Sequence, residues 1–181
     1  MRAEAATTER TGLVVGSAPC YPYGVIDDIH GYNAITNSGD PLDDHGHGSH
    51  CSGTIGGKGD DGKGIVGVNW NVKIMPVKFL SADGGGTLEG AIKAIDYATK
   101  MGAKVMSNSW GGGGVSKLIQ DAIAESQKAG IIFVAAAGND SKNTDVDKNY
   151  PSGYKQDSKG NPIKNIITVG ASDNLDNPAY F

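Results

Sequence analysis

An alternation of apolar runs and helical stripes between residues 72 and 169 constrains the fold most. Val72 to Leu80 (VKIMPVKFL) is mostly apolar and β-branched, which predicts a buried strand with Pro76 at a bend or bulge. Leu88, Ala91, Ile92, Ile95 and Ala98 then recur at helical spacing, with Thr87 as N-cap and Gly102 as C-cap. The pattern repeats. Ala103 to Ser107 predicts a short strand, and Leu118, Ile119, Ala122 and Ile123 form the apolar face of a second helix that stops near Gly130. Ile131 to Ala137 (IIFVAAA) reads as a continuous apolar strand and Ile166 to Val169 as a last one. Strands and helices alternating at this spacing predict an α/β architecture, a parallel sheet with right-handed crossovers. Sites in such sheets lie beyond the carboxyl ends of the strands. The glycine-rich segments at 83–86, 110–114 and 138–139 all fall there.

The remaining chain is less periodic. Leu13 to Val15 suits a short strand within an otherwise tail-like stretch, and Tyr32 to Ile35 suits another. Asn37 to Pro41, Gly56 to Gly64 and the long polar run from Asn139 to Pro162 read as loops. With 181 residues, the chain is long enough for one domain with a real core. Its 28 glycines are scattered rather than periodic, which excludes collagen and points to turns and close backbone approaches. The net charge is −4 and no block of Lys or Arg occurs, so neither a nucleic-acid nor a membrane partner is expected. No apolar run approaches the roughly 18 residues of a membrane span. Met1 to Arg10 is polar and lacks a signal-peptide core, the expectation being a trimmed mature chain or one without an export signal. Cys20 and Cys51 do not make a disulfide framework.

Chemistry concentrates at Asp43 to Thr54 (DDHGHGSHCSGT), where three histidines, three glycines and three hydroxyl residues fill twelve positions. Small residues crowd His47, which predicts the start of a tightly packed helix presenting that imidazole. The bland alternative is a histidine that caps a helix. A zinc reading of His45, His47 and His50 fits no standard ligand spacing. His50 is expected to be buried and His45 exposed.

His47 to Thr54 resembles the histidine signature of the subtilisin-like serine proteases. Three further blocks resemble the same family in the same order: Met75 to Leu80, Ser107-Asn108-Ser109-Trp110-Gly111, and Ala135-Ala136-Ala137-Gly138-Asn139. The resemblance runs from about Asp27 to Ala171. It implies a three-layer α/β fold, subtilisin-like, with a mainly parallel sheet flanked by helices. It implies an endopeptidase acting on polypeptides, with His47 as general base and acid and Asn139 as oxyanion donor. Gly84, Gly85 and Gly86 on one side and Ser109, Trp110 and Gly111 on the other would clasp an extended peptide, with Ala136 and Gly138 completing the substrate site. Trp110 and the small Ala135 to Ala137 wall suggest a pocket open to apolar residues. No cofactor is required by this resemblance. Calcium is an optional structural ion, for which Asp60-Asp61-Gly62 and Asp140 to Asp147 are the acidic loops, although solvated turns account for both. A secreted monomer is the family expectation.

Two triad members are not where the resemblance would put them. The family order is Asp, His, Ser, the acid roughly 30 residues before the histidine and the serine roughly 160 after it. Counting back from His47 reaches Val14 to Ser17, which holds no acid; Asp27 is the remaining candidate. No Gly-Thr-Ser-Met-Ala-like segment occurs in the 181 residues. The expectation is a divergent N-terminal segment, residues 1–22, and a partial subtilisin-like peptidase domain, residues 23–181, inactive alone. A pseudoprotease that keeps only the peptide groove is the competing expectation.

Overall fold

Six strands form one parallel sheet in the order β2-β3-β1-β4-β5-β6. The computed structural model describes residues 11–15, 31–60, 62 and 64–180. The elements are β1 (Thr11–Val15), β2 (Tyr32–Asn33), α1 (His47–Gly56), β3 (Lys73–Lys78), α2 (Leu88–Lys100), β4 (Val105–Asn108), α3 (Lys117–Lys128), β5 (Ile132–Ala136) and β6 (Ile166–Val169). The short strand expected near Leu13 is therefore central. It pairs in register with β3 on one side and β4 on the other.

The order of strands sets the layers. From β1 the chain moves out to β2 at one edge, returns through β3 between them, and then passes β1 to β4, β5 and β6 on the other side. The steps from β2 to β3 and from β3 to β4 run the same way across the sheet, so α1 and α2 lie on opposite faces only if their crossovers differ in hand. α1 packs on β1 and β3, while α2 packs on the sheet and along α3. The result is the three-layer α/β arrangement. The direction reverses around β1, and a reversal opens a crevice beyond the carboxyl ends of the strands that flank it.

The helices follow their predicted stripes with two adjustments. In α2, Ala91, Ala94, Ile95 and Ala98 are buried, and Thr87 Oγ1 accepts the Gly90 N–H at 3.0 Å as N-cap. In α3, Ile119, Ala122, Ile123 and Ser126 are buried behind the N-cap Ser116. Leu88 and Leu118, expected inside, are exposed, because each sits in a first turn beyond the edge of its buried stripe. Phe133, Met75, Ile95, Met106, Ile123 and Ile131 are fully buried between sheet and helices. Each contributes about 1.5–3 kcal/mol by removal from water. Tyr32 stacks on Tyr97 with ring centroids 4.5 Å apart, tying β2 to α2.

Pro76 produces no bulge. Its register with β1 is unbroken from Lys73 to Val77. Lys78 presents its carbonyl to Ala34 on the β2 side, so Pro76, two residues earlier, also faces that side. There β2 pairs only with Val77 and Lys78, and the missing N–H has no ladder to break.

Candidate active site

The approach to α1 is organised by Asp43. The N-cap residue, Gly46, is left-handed (φ 95°) and has no side chain to cap the helix. Asp43 does this from three residues earlier. Its Oδ1 accepts the His45 and Gly46 N–H groups at 3.1 and 2.9 Å. Its Oδ2 accepts the Ser49 N–H at 2.8 Å and the Ser49 hydroxyl at 2.6 Å. Burial raises this carboxyl, but the Ser49 hydroxyl and the backbone N–H groups of Gly46, Ser49 and His45 outweigh it and hold Asp43 below its ordinary value. The neighbouring Asp44 accepts from the Lys78 ammonium at 2.5 Å, and the same ammonium donates to the Leu80 carbonyl at 2.6 Å. Lys78 is buried in β3. The loop before α1 is thereby fixed to the carboxyl end of that strand.

This anchoring puts His47, the first residue of α1, exposed at the crevice. Cys51, one turn on and a free thiol, has its Sγ 3.9 Å from His47 Nε2. The His45 ring meets the His47 ring edge-on at 6.3 Å. His50 is exposed, not buried as expected, because Gly48 and Ser52, one turn apart, occupy the face of α1 that meets the sheet. Among the described residues, no three His, Cys, Asp or Glu side chains come together as a metal-binding group, the three histidines included.

A cleft of about 530 Å³ runs from His47 between two backbone edges. One edge is Gly84-Gly85-Gly86, which follows β3; the other is Ser109 to Gly113, which follows β4. Phe79, Leu80 and Ala91 lie between them. The first edge is a turn closed by Ser81 N–H on the Gly85 carbonyl (2.8 Å) and by Asp83, whose Oδ1 accepts the Ser81 hydroxyl and the Gly85 N–H. Those two bonds, with a smaller contribution from His45, hold the Asp83 carboxyl below its ordinary value. A Cβ on Gly86 would crowd this edge, lying 2.5 Å from Leu80 Cδ2 and 3.0 Å from the Phe79 carbonyl oxygen. The second edge is stiffened through Trp110. Its indole meets Phe79 edge-on at 5.1 Å and donates to Asn108 Oδ1 at 3.1 Å. The buried Asn108 amide in turn donates to the carbonyls of Met106 and Val134, joining β4 to β5.

His47, Gly84, Gly85, Gly86, Ser109, Trp110 and Gly111 thus come together around one cleft. Ala136, Gly138 and Asn139 lie together at the carboxyl end of β5. Gly138 takes φ 105° and lines a second cavity of about 740 Å³ that also includes Asp140, Asp147, Asn149 and Tyr150. Asn139, next in the chain, is exposed. Asn149 carries no functional signal of its own in the sequence, where it falls within the polar run from Asn139 to Pro162. Its carboxamide lies against both Gly111 and Gly138. The Tyr150-Pro151 pair inside that loop was the available signal that the segment is ordered. Val15, the last residue of β1, is paired with Val77 and Asn108 at the reversal point, and the sequence continues Gly16-Ser17-Ala18 without an acid. Asp27 lies outside the described residues.

A parallel sheet with a reversal, a helix opening on an exposed histidine and a cleft walled by two backbone edges define the class as an α/β protein with a crevice beyond the carboxyl ends of its strands. Family comparison is more specific: the model of the subtilase family, Peptidase_S8, matches residues 21–181, and the chain belongs to that family. It is 31% identical over 160 residues to the minor extracellular protease Epr of Bacillus subtilis (strain 168), covering 88% of this chain and 23% of that protein. It is 33% identical over 153 residues to a thermophilic serine proteinase of Bacillus sp. (strain AK1), covering 84% and 35%. A solved structure of a cold adapted subtilisin-like serine proteinase superposes with a TM-score of 0.72 at 28% identity, over 96% of this chain and 58% of that one. The chain therefore spans between 23% and 35% of the length of these two curated relatives.

Proposed function

We propose that β1 and residues 23–181 together form part of a serine endopeptidase domain that hydrolyses peptide bonds in proteins, so that the segment expected to be divergent, residues 1–22, supplies the central strand. His47 is the base that takes the proton from a serine and returns it to the leaving amine. Asn139 donates its amide to the developing oxyanion. Substrate lies extended between Gly84 to Gly86 and Ser109 to Gly111, bonded through its main chain, with Ala136 and Gly138 beside the scissile residue. The observation that carries this reading is the single cleft that has His47 at one end and both glycine-rich edges as its walls.

The 181 residues contain no Gly-Thr-Ser-Met-Ala-like segment, and no acid stands between β1 and Asp27. Hydrolysis therefore needs a nucleophile from outside these residues, and the isolated 181-residue chain binds peptide without cleaving it. A fluorogenic peptide assay on this chain is expected to show no turnover above buffer; turnover abolished by His47→Ala would overturn that statement. The same absence favours a second reading, a pseudoprotease that binds peptides only. The flanking coding sequence separates the two: a serine-bearing Gly-Thr-Ser-Met-Ala-like segment downstream supports the peptidase. Action as a secreted monomer, with calcium as at most a structural ion, completes the proposal. The extracellular relative supports the first part.

A further inference from the structure

We propose that two copies of the 181-residue chain join through the outer edge of β6, strand against antiparallel strand. β6 is the last strand of the sheet and, among the described residues, pairs only with β5. The Phe133 and Ala137 N–H groups donate to the Asn165 and Val169 carbonyls. Backbone groups alternate sides along a strand, so the N–H and C=O groups of Ile166, Thr168 and Gly170 point outward. Edge strands are commonly blunted by a charge, a proline or a bulge. Ile166 to Gly170 (IITVG) carries none of these: its first four residues are β-branched, its register with β5 is unbroken, and a Cβ on Gly170 would meet nothing within 4 Å.

The strand is complementary to itself. Phe133 and Ala135, the partners of Ile166 and Thr168, are buried on the side where α3 packs. Ile167 and Val169 stand on the other face, 51% and 50% exposed, beside the 43% exposed Ile132 of β5. Antiparallel pairing about Thr168 sets outward backbone groups against outward ones, Ile166 facing Gly170 of the second copy. It also sets Ile167 directly opposite Val169, twice by symmetry, so four half-exposed apolar side chains close into one cluster. A slip of one residue would oppose outward groups to inward ones. Charge agrees with this direction. Lys164 ahead of the strand and Asp173 after it are both exposed, and antiparallel pairing brings Lys164 of each copy to the end where Asp173 of the other stands. A strand that is apolar in the middle and oppositely charged at its two ends fits a second copy of itself. The contact is small, below the roughly 1,200 Å² of standard complexes, so the dimer is weak and depends on concentration. β6 lies outside the cleft of His47, so this pairing holds or fails independently of the peptide-cleft reading. In a longer protein whose own chain pairs with β6, the edge is taken and the monomer proposed above holds.

Sedimentation velocity of the 181-residue chain over a wide range of concentration is expected to show its mass rising from one chain towards two. In a mixture of ¹³C-labelled and unlabelled chain, isotope-filtered NOEs are expected between the methyl groups of Ile167 in one copy and Val169 in the other. Thr168→Pro removes an outward N–H that β5 does not use, and Val169→Lys puts a charge into the apolar cluster; each is expected to weaken association by about tenfold or more. Lys164→Glu, which sets two carboxylates together at both ends, is expected to weaken it by about threefold. The amide spectrum of each variant reports whether it is folded, and the NOEs decide by themselves should neither Thr168→Pro nor Val169→Lys fold. A chain that stays monomeric at every concentration overturns the inference. So does association undiminished in a folded Thr168→Pro or Val169→Lys chain, and so do filtered NOEs that arise from another face.

Discussion

At the residue scale, Asp43 shows how a site can depend on a side chain that never meets substrate. A left-handed glycine at the N-cap lets the chain turn sharply into α1 but leaves the first N–H groups of that helix unsatisfied. Asp43 accepts two backbone donors ahead of the helix and one in its first turn, and its carboxylate also suits the positive end of the helix dipole. Asp43→Ala is expected to lower stability by about 1–2 kcal/mol, read from urea denaturation. The pH dependence has a definite sign. The folded value of this carboxyl lies below its unfolded value of about 3.9, so its contribution is complete above that pH and is lost as pH falls through the folded value. The difference in urea midpoint between the parent and Asp43→Ala is therefore expected to be constant from about pH 7 to 5 and to shrink below about pH 4.

At the scale of elements, the ends of helices are where the sequence states its intentions and where the fold finishes them. α2 and α3 carry their own N-caps, Thr87 and Ser116, each accepting from the backbone N–H three residues on. Removing either hydroxyl (Thr87→Ala or Ser116→Ala) is expected to cost about 1 kcal/mol, or about 2–4 °C in melting temperature for a chain of this size. α1 ends differently. Its last carbonyls are met by a separate segment: Gly67 N–H donates to the Gly57 carbonyl, Val68 to Thr54 and Asn69 to Ile55. The approach is so close that a Cβ on Gly67 would lie 2.3 Å from the Gly57 nitrogen and 2.7 Å from the Gly56 nitrogen. Both neighbours are backbone and cannot swing away. Gly67→Ala is expected to cost about 1–3 kcal/mol or more and to lower the melting temperature further than either cap variant.

At the scale of the whole molecule, the cleft exists because the sheet reverses direction around β1. The segments after β3 and β4 then flank one crevice, and α1 delivers His47 into it from the opposite face. Lys78 joins these parts, buried in β3 yet bonded to Asp44 ahead of α1. Asp44 stays half exposed and remains solvated without its partner. Lys78→Met is therefore expected to change stability by no more than about 1 kcal/mol, since a buried ion pair gains little over an apolar replacement. The amide signals of His45 to Ser49 are expected to shift all the same, because their loop loses its tie to the sheet. Unchanged signals there would show that the ion pair does not position α1.

The sequence by itself determined the elements and the local chemistry. Periodicities of 2 and 3.6, caps and glycines are written within windows of a few residues, and so were α2, α3, β3 to β6 and the start of α1 at His47. It also carried the family, because His47 to Thr54 and three other blocks stand in one order. Tertiary structure decided what depends on residues far apart in the chain. It put β1 at the centre of the sheet, although Leu13 to Val15 reads locally only as a short strand within a tail-like stretch. It left His50 exposed, Leu88 and Leu118 on the surface, and Pro76 harmless in the part of β3 with which β2 does not pair. It also brought Asn149 between Gly111 and Gly138, 38 and 11 residues away. Local pattern reports the backbone's own preferences, whereas the filling of a slot is settled only when distant segments compete for the same space.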